Sequence, residues 1–308
     1  MIAAFLALVL AAAVPAAPDT LPLVLTPAGG FARLSADPSR PVEPAGLAFD
    51  SFGRVYVADA ALRRLVRFAA DGSALGETGA LGDDAGGLRR PGAVVMAGVL
   101  QVAVLDEENR RVIAYDLQGH VQGIAGDLDA VLDVPGESRA RPIGLASDRS
   151  GAFYVADADG DRVLVFDAAG RRVRDLGRPG AGGAALSAVA GLAVSRRGDV
   201  FVSERTGGRI VRLDPTGALR AAWMLPDSTT AARLPLAVDD SLRVACADTE
   251  HARVWVFDAA GRPLAMAQGL EDVSALVFAR DGALWFAERT ARRLARYTLA
   301  PRARPTEP

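Results

Sequence analysis

Two residue types recur at a spacing that can do chemistry. Acids stand at Asp59, Asp106, Asp157, Glu204, Asp248 and Glu288, and five residues after each stands an arginine: Arg64, Arg111, Arg162, Arg209, Arg253 and Arg293. Carboxylate–guanidinium pairs can grip a ligand or brace a turn. One ligand site is rarely needed six times over, so the pairs read as struts between consecutive strands. Exposed pairs of this kind are worth about 1 kcal/mol at most.

Other reactive groups are sparse. Asp157, Asp159 and Asp161 resemble the start of a calcium loop, but the sixth and twelfth positions hold Arg162 and Ala168 where glycine and an acid are needed. His120 and His251 are the only histidines. Neither has a second histidine at metal-ligand spacing, and no nucleophile elbow accompanies them, so both read as solvated turn residues. Cys246, the single cysteine, reads as a small buried apolar residue and excludes a disulfide scaffold or a cysteine zinc site. Of the tryptophans, Trp255 and Trp285 read as core and Trp223 as the better exposed. No metal or other cofactor is expected.

The elements that position these groups follow from a repeat. The six acids are about 46 residues apart on average, a blade-length period. Six residues before the acid comes Gly53, Gly151, Gly198 or Gly282, with Leu100 and Leu242 as exceptions. Thirteen after it comes Gly72, Gly119, Gly170, Gly217 or Gly261, and thirteen before it Gly46, Ala93, Gly144, Gly191, Pro235 or Ala275. Each unit reads as four short strands joined by tight turns. The middle strands are continuously apolar, as in Val163–Phe166, so each sheet must be covered on both faces. Four-stranded sheets stacked around an axis form an all-β propeller, here six-bladed, with the small residue thirteen before the acid on the crowded innermost strand.

The sixth unit has three strands of its own. The apolar run Leu21–Thr26 precedes the first unit and is expected to pair as the fourth strand of the last blade, covering a costly edge.

Sixteen residues before the acids stand Glu43, Arg90, Arg141, Ala188, Ala232 and Asp272. They are expected to ring the mouth of the axial channel, with Arg90 and Arg141 on one side and Glu43 and Asp272 on the other. Adjacent guanidinium groups can grip a carboxylate or phosphate. The alternative is that they neutralise loop acids such as Asp83, Asp84, Asp133 and Glu137. The longest connections, about residues 77–91 and 125–141, fall on this face, where long loops are often functional.

Composition sets outer bounds. The chain has 308 residues, is 50% apolar and carries a net charge of −2, which excludes a disordered chain and gives no general attraction to nucleic acid or anionic membrane. All 35 basic residues are arginine, which reads as compositional bias. The loops carry few aromatics for stacking on bases. Residues 2–14 are an unbroken apolar run followed by small residues, so residues 1–17 read as a signal peptide. An uncleaved anchor is the alternative, because no basic residue precedes the run. Residues 18–300 form the propeller and 301–308 a Pro/Arg-rich tail. The mature protein is expected in the periplasm or outside the cell, monomeric and without stable membrane insertion.

The units resemble NHL repeats. The closest copies are Gly46-Leu-Ala-Phe-Asp with Arg54-Val-Tyr-Val-Ala-Asp59 and Arg64-Leu-Val-Arg-Phe68, the same parts of unit three, and Ala247-Asp-Thr-Glu-His-Ala-Arg-Val-Trp-Val-Phe-Asp258. The resemblance spans about residues 40–300, and the Asn-His-Leu signature is absent. It implies a six-bladed propeller. It also implies a scaffold shared by extracellular sensor domains, protein- and RNA-binding modules and a few lyases, with related gluconolactonase-like hydrolases that use a metal held by Glu, Asn and Asp. Asn109 is the only asparagine and suits a positive-φ turn better than a metal site. The expectation is a non-enzymatic, exported binding module for a protein, peptide or small anionic ligand on its loop face. A metal-dependent lactonase or lyase is the alternative.

Overall fold

The computed structural model describes residues 21–31, 34, 42–79, 81–82, 84, 86–129, 139–178, 185–227 and 229–302. The chain forms six four-stranded antiparallel sheets, with almost no helix. The first strand, β1 (Leu23–Phe31), belongs to the last sheet. Blade 1 holds β2 (Pro44–Phe49), β3 (Val55–Asp59), β4 (Arg64–Phe68) and β5 (Ala74–Thr78). Blade 2 holds β6 (Pro91–Ala97), β7 (Gln101–Asp106), β8 (Arg111–Asp116) and β9 (Val121–Asp127). Blade 3 holds β10 (Pro142–Ser147), β11 (Phe153–Asp157), β12 (Arg162–Phe166) and β13 (Arg172–Leu176). Blade 4 holds β14 (Val189–Val194), β15 (Val200–Glu204), β16 (Arg209–Leu213) and β17 (Leu219–Met224). Blade 5 holds β18 (Leu236–Val238), β19 (Val244–Asp248), β20 (Arg253–Phe257) and β21 (Pro263–Gln268). Blade 6 holds β22 (Val273–Phe278), β23 (Leu284–Glu288), β24 (Arg293–Pro301) and β1.

The innermost strands contact one another in sequence and β22 contacts β2, so the ring closes. The six-bladed, terminally clasped architecture read from the repeat is the one observed. Buried clusters lie between neighbouring sheets, as where Tyr154, Val163 and Val165 of blade 3 meet Val200, Val202 and Val211 of blade 4. Middle strands such as β11 and β12 are buried at every residue. Crowding explains the small inner residues: a Cβ on Gly46 would strike the Gly92 carbonyl of the next blade.

The clasp is longer than the run Leu21–Thr26. Pro27 has no N–H to donate, and sequence reasoning stops there. The structure bulges between Pro27 and Gly30, and pairing resumes through Phe31 opposite Leu294. Gly30 makes this possible, with φ at +135° and no room for a Cβ beside the Leu294 carbonyl.

Antiparallel order puts two kinds of connection on opposite faces. The links between blades and the turns from second to third strand share one face, called here the connection face. The other hairpins share the hairpin face. The connections 79–90 and 128–141 are joined by two others as long as the first, 32–43 and 177–188, which the expected pair of long loops did not include. The segments read as signal peptide (1–17) and most of the tail (303–308) lie outside the described residues. Trp223 is the most exposed of the three tryptophans, as expected. It lies in β17, half-buried, with its ring 6.0 Å from that of Phe257.

Candidate functional site

The acid and arginine of each unit face one another across the second and third strands, from Asp59 opposite Arg64 to Glu288 opposite Arg293. Side chains meet at 2.8 Å in Asp59–Arg64, 2.9 Å in Asp157–Arg162, 3.1 Å in Glu204–Arg209 and 2.9 Å in Glu288–Arg293. Asp106 and Arg111 are looser at 3.8 Å, because Arg111 bonds the Asp84 and Gly87 carbonyls. These acids are buried, not exposed surface partners. Their second task is local. The Asp59, Asp106 and Asp157 carboxylates accept the backbone N–H of Glu43, Arg90 and Arg141. In blades 1 to 3 the acid therefore fastens the start of the innermost strand to the second-to-third turn, and in blade 4 Glu204 does so through the Ser187 N–H, seventeen residues before it.

Blade 5 departs from the pattern. Arg253 turns to Asp227, and Asp248 instead takes His251 Nδ1 at 2.7 Å. Thr229 Oγ1 lies 3.1 Å from Asp248 and 2.9 Å from Glu250. Hydrogen bonds from the Thr230 N–H and the Thr229 hydroxyl hold the Glu250 carboxyl below its ordinary value. His251 is thus an exposed turn residue, as expected, with its ring anchored by a buried carboxylate. Asp227 lies in the preceding connection, so spacing within the unit gives no sign of this exchange.

The ring at the connection face contains the expected charges, each beside a partner. Arg90 lies 3.2 Å from Glu107, and Arg141 lies 2.6 Å from Asp159, with both arginine side chains more than half exposed. Glu43 and Asp272 share Arg289, at 3.6 and 3.9 Å. Of the loop acids named from sequence, only Asp84 is among the described residues, and it does not pair with Arg90 or Arg141 there. Asp84 bonds the Gly87 N–H, and Asp83, Asp133 and Glu137 lie outside the described residues. Arg205 of blade 4 is exposed and its side chain has no protein partner among the described residues. Sequence reasoning missed Glu107, Arg205 and Arg289. All three stand one residue after a repeat acid, and their N–H groups bond the carbonyls of Arg90, Ala188 and Asp272. The position after the acid is therefore a second ring beside the first.

Arg233 closes the mouth from within. It precedes the innermost strand of blade 5, yet its Nη2 lies 2.8 Å from both oxygens of Glu107 in blade 2, and its Nη1 lies 2.9 Å from the Ile143 carbonyl in blade 3. Blades 2 and 5 are opposite in a ring of six, so this side chain spans the channel.

The described residues do not assemble a propeller metal centre. Among the described residues no group of three or more His, Cys, Asp or Glu side chains is placed to hold a metal. Glu43 and Asp272 converge on Arg289. Asn109 donates to Asp106 and to the Gly82 carbonyl, at 2.7 and 3.1 Å. The positive φ of its turn falls on Arg110, not on Asn109 as expected. Asp157 and Asp161 are also engaged, Asp161 by the Val189 N–H at 3.1 Å, and Asp159 by Arg141. Cys246 is fully buried, and burial pushes its thiol well above its ordinary value.

Comparison with solved structures places this geometry among known propellers. A streptogramin B lyase matches with TM-score 0.61 and 14% identity, over 90% of this chain and 97% of that one. A gluconolactonase of Xanthomonas campestris matches with TM-score 0.64 and 17% identity, over 94% and 99%. This chain has the fold of those enzymes. A virginiamycin B lyase of Staphylococcus aureus, bound to quinupristin and catalytically inactive through a histidine-to-alanine change, matches with TM-score 0.61 and 11% identity, over 90% and 99%. No family model and no curated protein matches the sequence. Matches extend to 1015 chains, and a scaffold so widely shared does not select a chemistry.

Proposed function

We propose that this propeller is an exported, non-catalytic binding module that holds a carboxylate-bearing protein or peptide segment on its connection face. One observation carries the reading: Arg90, Arg141 and Arg205 present accessible guanidinium groups on three consecutive blades, beside a channel mouth already spanned by Arg233. A flat cationic arc next to a filled channel suits an extended acidic segment better than a small molecule seated in the axis. Arg90 and Arg141 are each paired with one acid, and an incoming carboxylate can replace that partner without leaving the guanidinium unpaired. The repeats are of NHL type in this reading, which the strand and turn residues of units one, three and five support. The apolar run at residues 2–14 supports export. The domain works as a monomer and needs no metal.

The test is binding of an immobilised glutamate-rich peptide. Arg90→Ala/Arg141→Ala is expected to weaken it by about tenfold or more at low salt, with the melting temperature unchanged. Undiminished binding would remove the site.

A second reading has its own observation. The fixed Asp248–His251 pair is the arrangement that makes an imidazole a general base, and the neighbours in fold include lyases. If the protein is an enzyme, His251→Ala abolishes turnover, whereas the binding reading predicts no change in peptide affinity.

A further inference from the structure

On the hairpin face, each blade passes from its innermost to its second strand through a short turn. In blades 3, 4 and 5 the first residue of the turn caps it. Asp148 accepts the N–H groups of Ser150 and Ala152, Asp239 those of Ser241 and Arg243, and the Ser195 hydroxyl those of Arg197 and Asp199. The side chains of Arg149, Arg196 and Arg197 at the turn tips contribute nothing to this capping. The turn therefore forms without them.

These three arginines line one depression of about 440 Å³, together with Ser195, Asp240, Ser241 and Leu242. The Arg149 N–H donates to the Arg196 carbonyl at 3.3 Å, which joins the turns of blades 3 and 4. Arg196 lies 3.4 Å from Asp240, an ion pair more than half exposed at both ends. The guanidinium groups of Arg149 and Arg197 have no protein partner among the described residues. The lining carries three cations against one anion, in a chain whose net charge is −2. Its wall is unusual as well. Leu242 sits at φ +61°, where blades 1, 3, 4 and 6 have glycine. An aliphatic side chain is strained there, yet it is kept, half-buried against the cluster shared by blades 4 and 5.

We infer that this depression is a binding site for a small dianion, a phosphate monoester or a dicarboxylate. Arg149 and Arg197 grip the charged oxygens, the Ser241 hydroxyl offers a further hydrogen bond, and Leu242 supplies an apolar wall. The site lies on the face opposite Arg90 and Arg141, so it does not rest on the function proposed above.

Titration of the full chain at low ionic strength with glycerol phosphate, and separately with succinate, tests it by calorimetry. Saturable binding of at least one anion is expected. Arg149→Ala/Arg197→Ala is expected to weaken it about tenfold or more, and Arg280→Ala, at an exposed turn arginine of blade 6 outside the depression, to leave it unchanged. Far-UV circular dichroism checks the fold, and Arg149→Gln/Arg197→Gln repeats the measurement if the alanine variant melts early. No saturable binding of either anion, equal affinity in the Arg149/Arg197 variants, or an equal loss in the Arg280 variant overturns the assignment. So does binding to anionic phospholipid vesicles without binding to the free anions.

Discussion

At Asp157 and Arg162 two opposite charges sit out of water, and each is bonded on more than one side. Asp157 accepts from Arg141 N–H and Arg162 Nε, both at 2.9 Å, and Arg162 continues to Asp175 at 3.3 Å. Removing one partner strands the other, at a cost of about 3–5 kcal/mol. Arg162→Ala is expected to lower the unfolding free energy by that much in a urea titration. Arg253→Ala breaks a half-exposed pair with Asp227 and should cost about 1 kcal/mol or less. Equal losses would mean that position in the repeat, and not burial, sets the energy. The tyrosines add a pH dependence. Burial, with Asp50 beside Tyr56 and Asp148 beside Tyr154, pushes both phenols up to about 12 from 10.0. The folded state keeps these protons when the unfolded chain has lost them. Stability should therefore fall as pH rises from about 10 to 12, and Tyr56→Phe/Tyr154→Phe should flatten that limb of the profile. The pairing of Asp157 with Arg162 was legible from a five-residue spacing. The turning of Arg253 to Asp227 was not, because the two are far apart in sequence.

At the scale of elements, the strands follow from apolar runs and the turns from glycine, but packing chose where those glycines had to be. Gly170 lies at φ +76° in its hairpin, and a Cβ there would also strike the Ala125 carbonyl in the preceding blade. The repeated residue thirteen after the acid thus serves the turn and the stacking of blades together. The same logic applies to the clasp. β1 keeps its register past Pro27 only because Gly30 can bulge. Gly30→Val is expected to cost about 1–3 kcal/mol of stability from backbone strain, with the carbonyl clash added, and to leave residues 23–27 paired. Hydrogen exchange along β1 and β24 checks it; uniform protection through Phe31 in the variant would show that the bulge is not the constraint. The clasp was foreseen from an unmatched apolar run, and its extra length was not, because a proline normally ends a ladder.

At the scale of the molecule, each blade is covered by two neighbours, and the clasp makes blade 6 a product of both chain ends. Such a ring should melt as one unit. Tryptophan fluorescence, reporting Trp285 in blade 6 and Trp223 and Trp255 in blades 4 and 5, is expected to share its midpoint with far-UV circular dichroism. Separate midpoints would mean that blades unfold singly, as in an open array. The number of blades, their four strands, the acid–arginine struts and the clasp are local or periodic features, and short-range pattern carries them without any knowledge of the fold. Which charge meets which was decided only by closure of the ring. Arg233 reaches Glu107 across the channel, Glu43 and Asp272 come to share Arg289, and Arg149 and Arg197 gather in one depression. A repeat fixes what each blade looks like, but the distances between side chains of different blades exist only after the ends of the chain have met.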